Sequence, residues 1–444
     1  VKTIASEMTF GISRDAGAFE WSGTSGSALF AQPENALKPS FWRMIFDIFR
    51  FNQFALDLLS AAPGLPSASI TTETSIGQYL EQEGYSDAFR DDYLIPMTAC
   101  VWSTGADKCA LEFPAMTLIR FMWNHHLLST ISERPPWLTI QGGSRRYIDA
   151  VIEGCKEAHV HLSTPVKSLT RRDGRVELEL GGGGGTTIET FDEVILACHG
   201  DQARELIGAS ATVEEKDILA AFETTPNTAY LHSDLSLMPE RRAAWSAWNY
   251  LTTSKSSSAQ TSTTTKSQSS GALQTVSLTY NMNILQALPV SDYSDILVTL
   301  NPEVPPSPST TQAVYNYRHP LYNARMIAAQ SQLEKIQGKR GVWYTGAWTG
   351  YGFHEDGFSS GMNVGLRLGG NVPWTVKDAK FSRGVSPLLG WKDYLARTII
   401  AMLQILVRIF EKAIGACERY TGPIARKVNA ITDGVGETNK KKAL

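Results

Sequence analysis

The segment from Trp343 to Gly365 constrains this chain more than any other stretch of it. A short apolar run ends at Gly346, a loop of glycines and aromatic residues continues to Phe353, and helix-compatible residues begin near Asp356 or Gly357. Such an order predicts a strand, a tight turn and a helix. The exposed N–H groups at a helix start favour an anionic or electron-rich ligand edge. Gly352, Gly357 and Gly361 take away Cβ atoms where a flat ligand or a neighbouring strand would approach. An ordinary strand–turn–helix with glycines for packing fits the same spacing, so spacing alone leaves both readings open.

Bulk properties narrow the setting. At 444 residues the chain has room for about three ordinary domains or two large interleaved ones. A formal net charge of −3 argues against a nucleic-acid backbone as the main partner. The cysteines (Cys100, Cys109, Cys155, Cys198 and Cys417) are dispersed with no CxxC pair, which suits a reducing, intracellular compartment. His125 and His126, and the group Cys155, His159 and His161, lack the second ligand pair that a structural zinc needs, so no metal is expected.

Along the chain, residues 1–35 read as short extended segments, and apolar spacing predicts a helix from Pro39 to about Ser60. Ser75 is placed to cap a following helix, and Pro114–Leu128 reads as another. A turn at Gln141–Ser144 opens a helix over Tyr147–Ala158. A β-rich run follows over His159–Leu162, Val166–Arg172, Arg175–Leu180, Thr187–Phe191 and Val194–Ala197. Between 254 and 270, fourteen of seventeen residues are Ser, Thr or Lys, a composition that predicts a disordered surface insertion.

Three groups of residues carry a family resemblance. The Gly352–Gly361 stretch, the turn at Gln141–Tyr147 with the following Ser163–Leu169 strand, and the Phe191–His199 strand together resemble the FAD-dependent amine-oxidase and desaturase-like flavoproteins. The wording around Gly352–Gly361 is closest to predicted NAD/FAD-binding oxidoreductases that accompany cyclopropane fatty-acid synthases. The resemblance spans about Met8 to Gly370. It implies a mixed α/β fold in which a Rossmann-like FAD-binding domain is interleaved with a substrate domain of mixed sheet and helices. On that pattern, 1–139 and 207–338 belong to the substrate domain, and 140–206 and 339–372 to the FAD-binding domain. The resemblance also implies FAD as cofactor, with Val166, Gly346, Glu355, Asp356, Gly357 and Phe358 lining it. Phe353 would form an aromatic wall of the substrate cage, and Arg318 and His319 would orient a substrate polar group. The implied chemistry is hydride transfer from a C–H bond to the flavin, with an apolar or lipid-like small molecule as substrate.

Two departures stand beside the resemblance. A strand–GxGxxG–helix unit, which would rest the FAD diphosphate on a helix start, is expected upstream of the segment that begins at Val1; the nearest glycine run, Gly181–Gly185, reads as a hairpin loop. With a first residue other than methionine, this gives the expectation of a chain truncated at its N-terminus. The rival expectation is a flavin-free remnant acting as a membrane-associated scaffold. The second departure is the helical extension 373–444. There Arg397, Gln404, Arg408 and Glu411 make one polar stripe on an otherwise apolar helix. Packing of its apolar face on the protein is the first expectation, and a peripheral membrane contact the second, because the lysines at 440–442 suit anionic lipid.

Overall fold

The computed structural model describes residues 1–60, 74–102, 109–129, 136–182, 185–254, 273–374 and 386–413. The serine/threonine-rich insertion lies, apart from Ser254, outside the described residues. Helices and sheets are mixed, as expected, and the described strands form four sheets.

The largest sheet has seven strands, in the spatial order Thr311–Pro320, Thr224–His232, Leu297–Leu300, Leu273–Asn281, Trp248–Ser254, Phe10–Arg14 and Phe19–Ser22. All neighbours are antiparallel except Trp248–Ser254 with Phe10–Arg14, which run parallel. One face of this sheet buries Ile12, Trp21, Tyr250 and Leu278 against Phe41 and Met44 of the helix Pro39–Phe54. That helix begins with proline at its first position, where a missing N–H costs nothing. Its buried Asp47 is satisfied by Arg43, by Arg50 and by the Ser86 N–H. Ser75 caps the helix Ile76–Glu83 in a reciprocal box with Gln78.

A three-stranded antiparallel sheet, Val166–Arg172, Arg175–Gly182 and Gly185–Phe191, forms a separate meander. Gly182 faces Gly185 across its second turn, so the glycine run is a hairpin. Val194–Leu196 and Val342–Tyr344 make a two-stranded parallel sheet. A larger core joins this pair to the helices and contains Phe51, Phe89, Phe121, Leu196, Tyr344 and Trp348. Thr3–Ser6 pairs with Trp137–Ile140.

Three expectations need correction. His159–Leu162 is not a strand; the segment is exposed and pairs with none of the described strands. The helix after the glycine-aromatic turn starts earlier than expected, at His354, with Phe353 at its cap. The extension is helical over 391–413, but it packs the other way round. Arg397 reaches Asp57 at 2.7 Å, and Glu411 accepts from Arg43 at 2.6 Å. Leu395, Met402, Leu406 and Ile409 point away and stay exposed. The polar stripe wins the contact because Asp57 and Arg43 offer charged partners on that side of the body.

Candidate functional site

The site is built where the two parallel strands end. Val194–Leu196 runs into Ala197–His199 and then the helix Gly200–Ile207. Val342–Tyr344 runs into the loop 345–353 and then the helix His354–Arg367. The register pairs Tyr344 with Leu196, so both loops leave at the same end and both helices start there. Ligand crevices in α/β sheets form at the carboxyl ends of parallel strands, where helix starts converge.

The loops are fixed by short-range bonds. Trp348 is buried, and its Nε1 donates to the Cys198 carbonyl at 2.9 Å, joining one loop to the other. The Gly346 N–H donates to Ser360 Oγ at 3.0 Å, and Thr349 Oγ1 donates to the Gly346 carbonyl at 2.8 Å. Gly346 has φ +139°, and a Cβ there would sit 2.7 Å from Trp348 Nε1. Only glycine suits that position. Gln330 Nε2 donates to the carbonyls of Trp348 at 2.9 Å and Gly350 at 2.6 Å. Asp356 accepts the Phe353 N–H at 3.1 Å, closing the helix start on itself.

Beside these loops lies an open cleft of about 460 Å³. Cys198, His199 and Gln202 come from the first loop and helix, Gly346, Trp348 and Gly352 from the second, and Tyr317, Arg318 and His319 from the edge strand of the large sheet. Arg318 is held by Asp201 at 2.9 Å and by Thr224 Oγ1 at 2.8 Å, so its charge is already compensated. Asn227 Nδ2 donates to His319 Nδ1 at 2.8 Å, which puts the neutral ring's proton on Nε2. Burial, and then the nearby His199, push the His319 pKa down, so the ring is uncharged near neutrality. Burial pushes the Cys198 thiol up, which keeps it protonated and unreactive.

Of the residues predicted from sequence, Gly346, Arg318 and His319 meet in this cleft. Phe353 is partly buried against Phe121, with ring centroids 4.8 Å apart, and lies 5.5 Å from the His125 ring. Asp356 is engaged in capping. Glu355 is exposed and accepts from Ser359, and Phe358 is about half exposed. A Cβ on Gly357 would meet the Ala347 N at an ordinary 3.6 Å, and one on Gly361 would meet no protein atom within 4 Å, so no protein neighbour crowds these glycines. Gly352 does need its missing Cβ, which would fall 2.7 Å from the Tyr322 hydroxyl at φ +94°. Val166 starts the meander opposite Leu180 and is not among the residues lining the cleft. Sequence reasoning missed Cys198, His199, Gln202, Tyr317 and Trp348. The available signal was that Val194–Leu196 is followed by a helix start, as Val342–Tyr344 is.

No curated protein sequence matches the chain. Similar solved structures include the CLA-producing fatty acid isomerase from P. acnes, 12% identical, with a TM-score of 0.45 over 82% of this chain and 81% of that one. Cyclohexylamine oxidase from Brevibacterium oxydans IH-35A is 9% identical, with a TM-score of 0.47 over 83% of each chain. An oxidoreductase from Methanosarcina mazei is 11% identical, with a TM-score of 0.46 over 82% of each. The family model for flavin containing amine oxidoreductases matches residues 22–364, which takes in both loops, both helix starts and the edge strand of the cleft. By that match over most of its length, the chain belongs to the flavin containing amine oxidoreductase family.

Proposed function

We propose that the chain binds the ring end of FAD beside its substrate and acts as a FAD-dependent oxidoreductase on an apolar, lipid-like small molecule. The observation that carries this reading is the cleft itself, opened at the carboxyl ends of two parallel strands between two helix starts. Its volume of about 460 Å³ is in the range of small-molecule pockets.

The residues present fit one end of the cofactor. Gly346 and Gly352 keep backbone, with no side chain, beside the cleft at positive φ. Trp348 supplies a rigid floor, because its indole is bonded to Cys198 and packed edge-on to Phe222 at 4.4 Å. A flavin bound there supplies a two-electron acceptor for a hydride leaving a substrate C–H bond. The protein's part is to orient and to exclude water. Tyr317 gives an aromatic wall, neutral His319 offers a single N–H donor, and Arg318 stays fixed by Asp201. The diphosphate end does not fit. The glycine run at 181–185 is a hairpin, and no strand–glycine turn–helix unit of the GxGxxG type stands among the described residues. The alternative reading is a flavin-free scaffold.

Anaerobic mixing of flavin-loaded protein with long-chain acyl compounds and with small amines tests the substrate class. Bleaching of flavin absorbance by the acyl compounds is expected. Bleaching by amines alone would remove the lipid-like assignment, and failure to load flavin would favour the scaffold.

A further inference from the structure

The helix over 391–413 sits on the protein with its amphipathicity reversed. At 100° per residue, Arg397, Gln404 and Glu411 fall within about 40° of one another. That stripe faces the body. Arg397 donates to Asp57 at 2.7 Å and bonds the Gln53 carbonyl, with its guanidinium over the Phe54 ring, and Arg43 reaches Glu411 at 2.6 Å. Of the long aliphatic side chains here, Ile400 is 7% exposed, whereas Met402, Leu406 and Ile409 are 63%, 61% and 59% exposed. Trp391, Leu395, Met402, Leu406 and Ile409 lie within about 60° on the outer side. Turning this face inward would break both ion pairs, so the helix is held polar side down.

We propose that this outer face lies in the interface of an anionic phospholipid bilayer. Three features favour lipid as the occupant. Trp391 and Tyr394 stand exposed at the start of the helix, the residue types that settle at headgroup level. Arg408 and Lys412 lie exposed toward its end, and residues 414–444 add six Lys or Arg against three Asp or Glu, a charge complement to anionic headgroups. The supporting helix Pro39–Phe54, whose Arg43 holds Glu411, exposes Trp42 and Phe49 as well. No helix among the described residues is long and apolar enough to cross a membrane, so the contact is interfacial.

The test is cosedimentation of the full chain with vesicles of phosphatidylcholine alone and of phosphatidylcholine mixed with phosphatidylglycerol. Binding to the mixed vesicles, weakened by salt, is expected. Leu406→Glu should lower it at least about tenfold, since the charge enters the apolar layer. Its melting temperature should stay at the wild-type value, because Leu406 touches solvent and not the core. Absence of binding to mixed vesicles, or wild-type binding by Leu406→Glu, overturns the proposal. So does a concentration-dependent dimer that Leu406→Glu dissociates without changing vesicle binding, which would give the face to a second copy. A lower melting temperature in Leu406→Glu would likewise give the face to the chain itself.

Discussion

Trp348 Nε1 donates to the Cys198 carbonyl at 2.9 Å, and through this bond the loops that follow the two parallel strands share one floor. The indole is 2% exposed and also packs on Phe222, so bond and packing act together. Trp348→Phe keeps an aromatic ring but leaves the Cys198 carbonyl without this donor. A loss of about 1–3 kcal/mol in unfolding free energy is expected in denaturant titration, with weaker flavin binding. Unchanged stability would mean that the two loops are held together elsewhere.

Gly346 is the position where backbone conformation matters most to the cleft. At φ +139°, with Trp348 Nε1 2.7 Å from where a Cβ would stand, Gly346→Ala has to shift the loop. Strain of this kind costs on the order of 1–3 kcal/mol. Gly357→Ala, where the nearest protein atom is at 3.6 Å, serves as the control and should leave the melting temperature nearly unchanged. Equal effects at the two glycines would contradict the geometry.

Acid stability should depend on a buried cluster behind the cleft. Glu215 takes a two-point ion pair from Arg171 at 2.6 and 2.9 Å, and further bonds from the Tyr344 hydroxyl and the Thr212 N–H. Burial alone would raise its pKa, but the bonds from Arg171, Thr212 and Tyr344 outweigh it and hold the carboxyl at about 2. A depressed carboxyl contributes stability above its unfolded pKa of 4.5, and that stability is lost as pH falls from 4.5 toward 2. The shift corresponds to roughly 3 kcal/mol. Asp92, pushed up to about 6 by burial despite Arg14, works in the opposite sense, its contribution falling as pH rises from about 4 to 6. Glu215→Gln should therefore destabilise the protein at pH 7, because Arg171 is left buried without its charge partner, by about 3–5 kcal/mol. It should also flatten the stability profile below pH 4.5. Equal slopes for variant and wild type in that range would sink this assignment.

Local features of the fold were legible in the sequence because local rules decide them. The Ser75–Gln78 capping box, the hairpin at Gly182–Gly185 and the strand–turn–helix around Gly346 each follow from residues a few positions apart. The cleft was only partly legible. Cys198, Arg318 and Gly346 are brought together by sheet pairing and loop docking over more than a hundred residues, and spacing carries no record of that. Phe353 shows the same limit, since the turn sequence carries no record of its stacking on Phe121. For the tail, periodicity gave the stripe of Arg397, Gln404, Arg408 and Glu411, of which Arg408 stays exposed. Which face meets the body depended on Asp57 and Arg43, far off in sequence.

Among the described residues, the cleft offers a place for the ring end of a flavin and none for the diphosphate. Titration of the protein with riboflavin and with FAD, followed by flavin fluorescence, tests this most directly. Both are expected to bind, with dissociation constants that agree within about tenfold (1.4 kcal/mol), and Gly346→Ala should weaken both alike. FAD binding a hundredfold or more tighter than riboflavin, about 2.7 kcal/mol, would show that this chain grips the nucleotide end after all. Binding of neither ligand, or binding indifferent to Gly346→Ala, would contradict the placement of the flavin in this cleft.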